Sequence, residues 1–203
     1  MPASIRSIVE GHGEREALPV LIRRIAERLD PSFSLDIPQP IRTPKSKLLK
    51  PGELERLVEL AARGAGRHGG VLIVVDSDDD CPAQLGPHLL QRARAIRSDL
   101  PLGVVIAKRE FESWFLAGAE SLRGQRRLVA NLRQPEDPES IQGAKEWLSK
   151  QMQRGQRYNE TLDQAALAAR FDIETARRAD SFDKCYREIA RILAELRNIN
   201  ADN

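Results

Sequence analysis

The chain has 203 residues, 41% of them hydrophobic and 31% charged, with a formal net charge of +2. That is one generous domain, or one domain with an appendage, and it is long enough to bury a real core. No stretch is apolar for long enough to cross a bilayer, no signal-peptide pattern opens the chain, and Cys81 and Cys185 lack metal-ligand spacing, so the cytoplasm is the expected location.

The elements follow in order. Ile5 to Val9 reads as a first strand that stops at Glu10-Gly11-His12-Gly13-Glu14, where two glycines permit a tight turn into a helix over 14–29. Leu18, Leu21, Ile22, Ile25 and Leu29 form its apolar stripe, with Pro19 in about the first turn. Phe33 to Ile41 is a weaker strand, and Pro38 and Pro40 place it at an edge. Arg42 to Lys50 is a basic loop with Lys45, Lys47 and Lys50, read as a solvated surface loop in preference to a phosphate contact. A helix follows from Pro51 to about Arg63.

Val71 to Val75 is a short β-branched run of the kind buried on both faces of a parallel sheet. It runs directly into Asp76, Asp78, Asp79 and Asp80. Carboxylates a few ångströms apart repel, and burial disfavours each of them, so a bound divalent cation is an effective neutraliser. The alternative is an acidic surface turn kept solvated. A helix over 82–97 and a strand from Leu102 to Ala107 come next. Strands alternating with helices predict an α/β fold, Rossmann-like, with a mostly parallel sheet of about four strands. Right-handed crossovers place the strand C-termini on one edge, where ligands bind in open α/β sheets.

After Ala107 come Lys108, Arg109, Glu110, Phe111 and Glu112. Glu110 and Glu112 face one way if the chain is extended there. Phe111, Trp114 and Phe115 read as core. From Gly118 onward only helices are expected, over 138–152, 159–171, 172–179 and 181–197, so the division is an α/β core at 1–118 and a helical portion at 119–203 packed on it. Arg123, Arg126, Arg127, Arg133, Arg154 and Arg157 make this portion basic.

Eight acids fall in three clusters: Glu10, Glu14, Asp76, Asp78, Asp79, Asp80, Glu110 and Glu112. Without them the remainder carries +10, a pattern that suits a polyanionic substrate held around metal, although arginine-rich helices alone also produce it. Two ions about 4 Å apart serve phosphodiester hydrolysis by stabilising the attacking and leaving oxygens. One would use Glu10, Asp76 and Asp78. The second would use Glu14, Asp80 and the Glu110/Glu112 pair. Lys108 or Arg109 would steady the phosphate. His12 is read as a surface turn residue, and His68 and His88 are assigned nothing.

The residues Val9-Glu10-Gly11-x-x-Glu14, followed by an apolar strand and Asp76-x-Asp78, resemble the toprim domain of topoisomerases, bacterial primases, recombination proteins and OLD-type nucleases. Glu14 and Glu110-x-Glu112 look closer to the OLD-type nucleases. Closest is a bacterial family of small stand-alone toprim-like proteins, on the fragment Arg109 to Gly118, the loop Asp76 to Pro82, Tyr158 with Gln164, and Ser181-Phe182. The resemblance implies a nuclease that uses Mg2+ or Mn2+, one or two ions. Glu10, Asp76 and Asp78 would be the central ligands and Glu14, Asp80, Glu110 and Glu112 the outer ones. Lys108 is the nearest candidate for a lysine at the phosphate, and Arg109, Arg123, Arg126 and Arg127 are candidate nucleic-acid contacts. It also implies a separately encoded ABC- or AAA-type ATPase in a defence-type pair, in keeping with the absence of a GxxxxGK[ST] motif here. A homo-oligomer is left open. Two other readings stand beside the nuclease: a phosphoacceptor domain of the response-regulator type, and a non-catalytic metal-binding or regulatory subunit.

Overall fold

A computed structural model describes residues 3–201. Its centre is a parallel sheet built from β1 (Ala3–Val9), β2 (Leu35–Asp36), β3 (Ile41–Arg42), β4 (Gly69–Asp76) and β5 (Leu102–Ala107), in the order β2-β1-β4-β5 with β3 also on β1. The expected α/β class is the observed one. The stretch expected as one weak strand is two. β2 pairs with the start of β1 (Ala3 with Leu35) and β3 with its end (Val9 with Arg42). Between them lie Pro38 and Pro40, which have no N–H to give to a ladder.

The order fixes the functional edge. From β1 the chain moves outward to β2 and β3, then crosses back to β4 and continues to β5. The direction of winding therefore reverses between β1 and β4, which opens a crevice beyond their C-terminal ends. Glu10 follows β1 and Asp76 ends β4, so the two flank that crevice.

β4 is buried along its whole length, and its side chains divide by parity. Val71, Ile73 and Val75 face α3 (Glu53–Ala65) and α4 (Pro82–Ile96). Leu72 and Val74 face α1 (His12–Leu29) and the C-terminal helix. That first face also holds α2 (Lys45–Leu48), through Leu48. After β5 come α5 (Ser113–Ala117), two 3₁₀ turns, α6 (Ala144–Lys150), α7 (Glu160–Ala168), α8 (Ile173–Ala176) and α9 (Asp180–Ala201). The helix expected over 138–152 begins only at Ala144, after the left-handed Gly143 at φ +72°.

One apolar cluster joins β1, β4, β5 and α1 to Phe171, Phe182, Ile189 and Leu196, so the core continues across residue 118. Phe111, Trp114 and Phe115 are fully buried within it, and Trp114 Nε1 donates to Ser181 Oγ at 2.8 Å. Ser181 also accepts from the Lys108 N–H (3.1 Å), which fastens the start of α9 to the end of β5.

α7 packs closely on α1. A Cβ on Gly13 would meet the Gln164 side chain and lie 2.7 Å from the Glu160 carbonyl oxygen. Glycine to alanine inside a helix ordinarily stabilises by about 1 kcal/mol. Here overpacking, which costs about 1–3 kcal/mol, reverses the sign. Gly13→Ala is expected to lower the thermal midpoint, as a calorimetric scan would read.

Candidate functional site

Four buried or half-buried carboxylates gather at the crevice. Glu14 lies in the first turn of α1, 4% exposed, and its Oε2 accepts from the N–H groups of Glu10 (3.1 Å) and Gly11 (3.0 Å). Asp76 accepts from the Phe111 N–H at 2.8 Å. Glu112 is wholly buried, and its Oε1 accepts from the Tyr158 hydroxyl at 2.9 Å. Glu10 accepts from the Lys45 N–H at 3.3 Å. Glu10 Oε2 and Glu112 Oε2 are buried without a hydrogen-bond partner.

Burial is the first cause that raises the pKa of each of these acids. It pushes Glu112 up to about 7. Asp76 rises far above the usual carboxylate range through burial and then through Glu14, Glu112 and Glu10. Glu14 is raised by burial and by Glu10, and Glu10 by burial and Asp78. Carboxylates that raise one another carry more negative charge than the site neutralises.

Two lysines meet that charge. Lys45 sits in the stretch expected to be a solvated loop, yet it is buried. β3 runs parallel to β1 and delivers the next turn, α2, directly over the crevice. The Lys45 ammonium donates to the carbonyl oxygens of Asp76 (3.1 Å) and Ser77 (2.7 Å) and to Asp78 Oδ2 (2.7 Å), and Asp80 Oδ2 lies at 3.0 Å. Burial works against its charge, but Asp78 and Asp80 outweigh burial and raise its pKa. The second cation is Lys145 on α6, 3.2 Å from Glu160 and 3.9 Å from Glu112. Burial again opposes its charge, and Glu112, Glu160 and Asp76 raise its pKa. Tyr158 is held protonated by burial and by Glu112.

The residues singled out from sequence therefore divide. Glu10, Glu14, Asp76 and Glu112 come together. Asp78 and Asp80, expected as metal ligands, are engaged by Lys45. Glu110 and Glu112 do not share a direction, because Phe111 and Glu112 lie in a turn leading into α5 and not in extended chain. Glu110 accepts from the Ala144 N–H (3.2 Å) and lines a small cleft with Asp78, Asp79 and Arg109. Among the described residues, no three His, Cys, Asp or Glu side chains are grouped so as to hold a metal ion. The physical reason is local: backbone N–H groups, Tyr158 and Lys45 each draw a carboxylate toward themselves.

Lys108 is exposed and lines a different cleft, about 520 Å3 in volume, with Ile106, Cys81 and Lys184. Arg109 remains at the acidic loop, 3.1 Å from Asp79. Arg123 donates to the Leu132 carbonyl (2.7 Å), and Arg126 pairs with the buried Asp163 (2.9 Å), so both hold the chain's own irregular segment together. Arg127 donates to Gln156 at 2.8 Å. Asp78 at φ +50° and Arg109 at φ +67° are both left-handed without being glycine, and their backbones meet, Asp78 N–H to the Arg109 carbonyl at 3.1 Å. Such strain collects at functional sites.

Lys45 and Lys145 are the site residues that sequence reasoning missed. A signal for Lys45 was present, since a helical turn places it on one face with Leu48. Nothing local marks Lys145.

A family model described as a domain of unknown function (DUF4276) matches residues 9–190. The chain belongs to the DUF4276 family. The matched span runs from the last residue of β1 to the middle of α9 and takes in Glu10, Lys45, Asp76, Glu112, Lys145 and Tyr158, so the whole crevice lies within the DUF4276 unit. Comparison with curated proteins and with solved structures found no match. Among the described residues, no helix of this DUF4276 chain is long and apolar enough to cross a membrane.

Proposed function

We propose that the crevice beyond β1 and β4 holds Mg2+ or Mn2+, and that the protein hydrolyses phosphodiester bonds of DNA or RNA together with a separately encoded ABC- or AAA-type ATPase. The observation that carries this reading is a cluster of four buried or half-buried acids whose charge Lys45 and Lys145 offset only in part. Burial and then neighbouring carboxylates raise the pKa values of Glu10, Glu14, Asp76 and Glu112, and two of their oxygens are buried without a hydrogen bond, Glu10 Oε2 and Glu112 Oε2, the latter with Lys145 at 3.9 Å. Orphaned carboxylate oxygens at a strand-order reversal suit a hard cation, and the donor set contains no soft ligand.

Glu10 and Asp76 would hold the ion, with Glu112 and Glu14 beside them. Such an ion supplies Lewis-acid polarisation of a phosphoryl oxygen and a more acidic bound water. The chain's own part is to position. Lys45 fixes the loop 76–80, the Phe111 N–H orients Asp76, and Tyr158 orients Glu112. Arg109, at the lip of the acidic loop, supplies a guanidinium for a phosphate oxygen. The ATPase partner rests on the resemblance to OLD-type nucleases and to small toprim-like proteins.

A second reading is favoured by Lys45. Its ammonium already takes four oxygens of the acidic loop, the place a cation would fill, which suits a non-catalytic regulatory or partner subunit. One pair of measurements separates the two. Mn2+ binding, followed by the loss of the free-ion paramagnetic signal, is expected to weaken on the order of 100-fold in Glu10→Ala and Asp76→Ala. Plasmid nicking is expected to disappear with it. Mn2+ binding without cleavage of any nucleic acid, even with the ATPase present, would favour the regulatory reading, and wild-type affinity in both variants would remove the metal site altogether.

A further inference from the structure

A second feature lies against the crevice and shares only Lys145 and Tyr158 with it. A cleft of about 470 Å3 opens between α6 and the loop that precedes α7. Lys145, Ser149 and Lys150 form one wall, and Gln156, Arg157 and Tyr158 form the other. Glu146 is its single acid, so the lining carries a net of two positive charges. Lys150 and Arg157 are exposed and, among the described residues, neither has an acidic partner.

The walls are also fixed. Ser149 Oγ accepts from the Tyr158 N–H at 3.1 Å and donates to the Lys145 carbonyl at 2.9 Å, which ties loop to helix. Two of the lining residues, Lys145 and Tyr158, are the two that contact Glu112. The positive cleft and the buried acids thus share a boundary, and Glu112 Oε2, buried without a hydrogen bond and 3.9 Å from Lys145, lies at it.

We infer that this cleft seats the phosphodiester backbone of a single nucleic-acid strand and leads it toward the acids. The inference rests on the reading of the crevice as a phosphodiester site and adds where the strand lies. Unpaired cations attract phosphates, and releasing counterions from the strand drives the association. A cleft of about 470 Å3 between the seven-residue α6 and a loop has the dimensions of one backbone, and a duplex is the competing occupant that the test discriminates. The Gln156 side-chain NH2, whose companion oxygen accepts from Arg127, supplies a neutral hydrogen bond to a sugar or phosphate oxygen without reading sequence.

The test uses the full chain in EDTA, so that no divalent ion contributes. Fluorescence anisotropy is read with labelled oligothymidylate and, in a parallel arm, labelled oligouridylate, and the tighter of the two identifies the strand as DNA or RNA. Lys150→Gln with Arg157→Gln is expected to weaken binding roughly tenfold and to flatten the slope of log K against log salt by about 1.4, two contacts at about 0.7 each. Arg56→Gln with Arg63→Gln, on α3 across the sheet, is expected to change neither. An unchanged slope in the cleft variant, absent binding by the wild type, or equal binding of a duplex would overturn the inference. Mn2+ binding by the cleft variant is expected to equal that of the wild type. Strand binding lost while Mn2+ binding persists is a property of the cleft, and Mn2+ binding lost in Glu10→Ala with strand binding intact is a property of the crevice. The two readings therefore fail separately.

Discussion

In EDTA, the protein is expected to grow more stable as pH falls from 8 to 5. The sign follows from Glu112. Its pKa is about 7 in the fold against an ordinary value of 4.5, because burial disfavours the carboxylate. Between those values the native state binds more protons than the unfolded one, so stability falls as pH rises. Below about 4.5 both states are protonated and the penalty is absent. Above about 7 it is complete, at about 3 kcal/mol for this group. Glu10, Glu14 and Asp76 are shifted in the same direction and steepen the slope. The opposing groups act elsewhere: Glu55, held at about 2 by Arg92, loses its contribution only below that window. Glu112→Gln keeps an acceptor for the Tyr158 hydroxyl and removes the charge, so it is expected to raise the denaturation midpoint at pH 8 and to flatten the profile. Mn2+ is expected to stabilise more at pH 8 than at pH 5, since protons compete for the same oxygens. Urea melts at a series of pH values measure all three. A wild-type midpoint that climbs from pH 5 to pH 8 without metal would mean that the acids are not buried as the fold has them.

The parts of this architecture that could be read from the chain are those in which the local pattern and the tertiary role coincide. Val71 to Val75 is buried on both faces in the sheet as its β-branched run implies, and Asp76 falls at its end because a charged residue cannot extend that run. Glu10 beside Asp76 follows from parallel strands whose order reverses between them. What was not legible depends on partners far away in sequence. Asp78 and Asp80 look like metal ligands until Lys45, more than thirty residues earlier, is found between them. Lys145 and Tyr158 reach Glu112 only because the chain returns through α6 to the crevice. Glu110 and Glu112 face one way only in extended backbone, and the turn at Phe111 and Glu112 separates them. Arg123 and Arg126 read as free cations, but Arg123 bonds a carbonyl of the irregular segment and Arg126 ties that segment to Leu162 and Asp163 of α7.

That dependence on Lys45 leads to the second large effect. Lys45→Met is expected to destabilise the protein by about 2–4 kcal/mol, read as a lower urea midpoint. The side chain is 10% exposed, and its ammonium satisfies two backbone carbonyls and two carboxylates at 2.7–3.1 Å. Methionine fills the same volume and leaves the carbonyls of Asp76 and Ser77 without that donor. It also leaves Asp78 and Asp80 facing each other beside Glu10. Their side chains are 61% and 52% exposed, so water recovers part of the loss, which keeps the figure below that of a fully buried ion pair. The backbone contributes as well. Asp78 holds φ at +50°, a conformation that the Lys45 contacts help to impose, and without them the loop 76–80 relaxes. Asp78→Asn with Asp80→Asn in the Lys45→Met background is expected to restore roughly half of the loss, because the like-charge repulsion disappears while the two carbonyls stay without the ammonium. If Lys45→Met unfolds within about 0.5 kcal/mol of the wild type, the ammonium is a solvated surface charge. If the triple variant gains nothing over Lys45→Met, the loss comes from the carbonyls alone. In the first case the acidic loop would be free for a metal ion; in the second, carboxylate repulsion has no part in holding the loop.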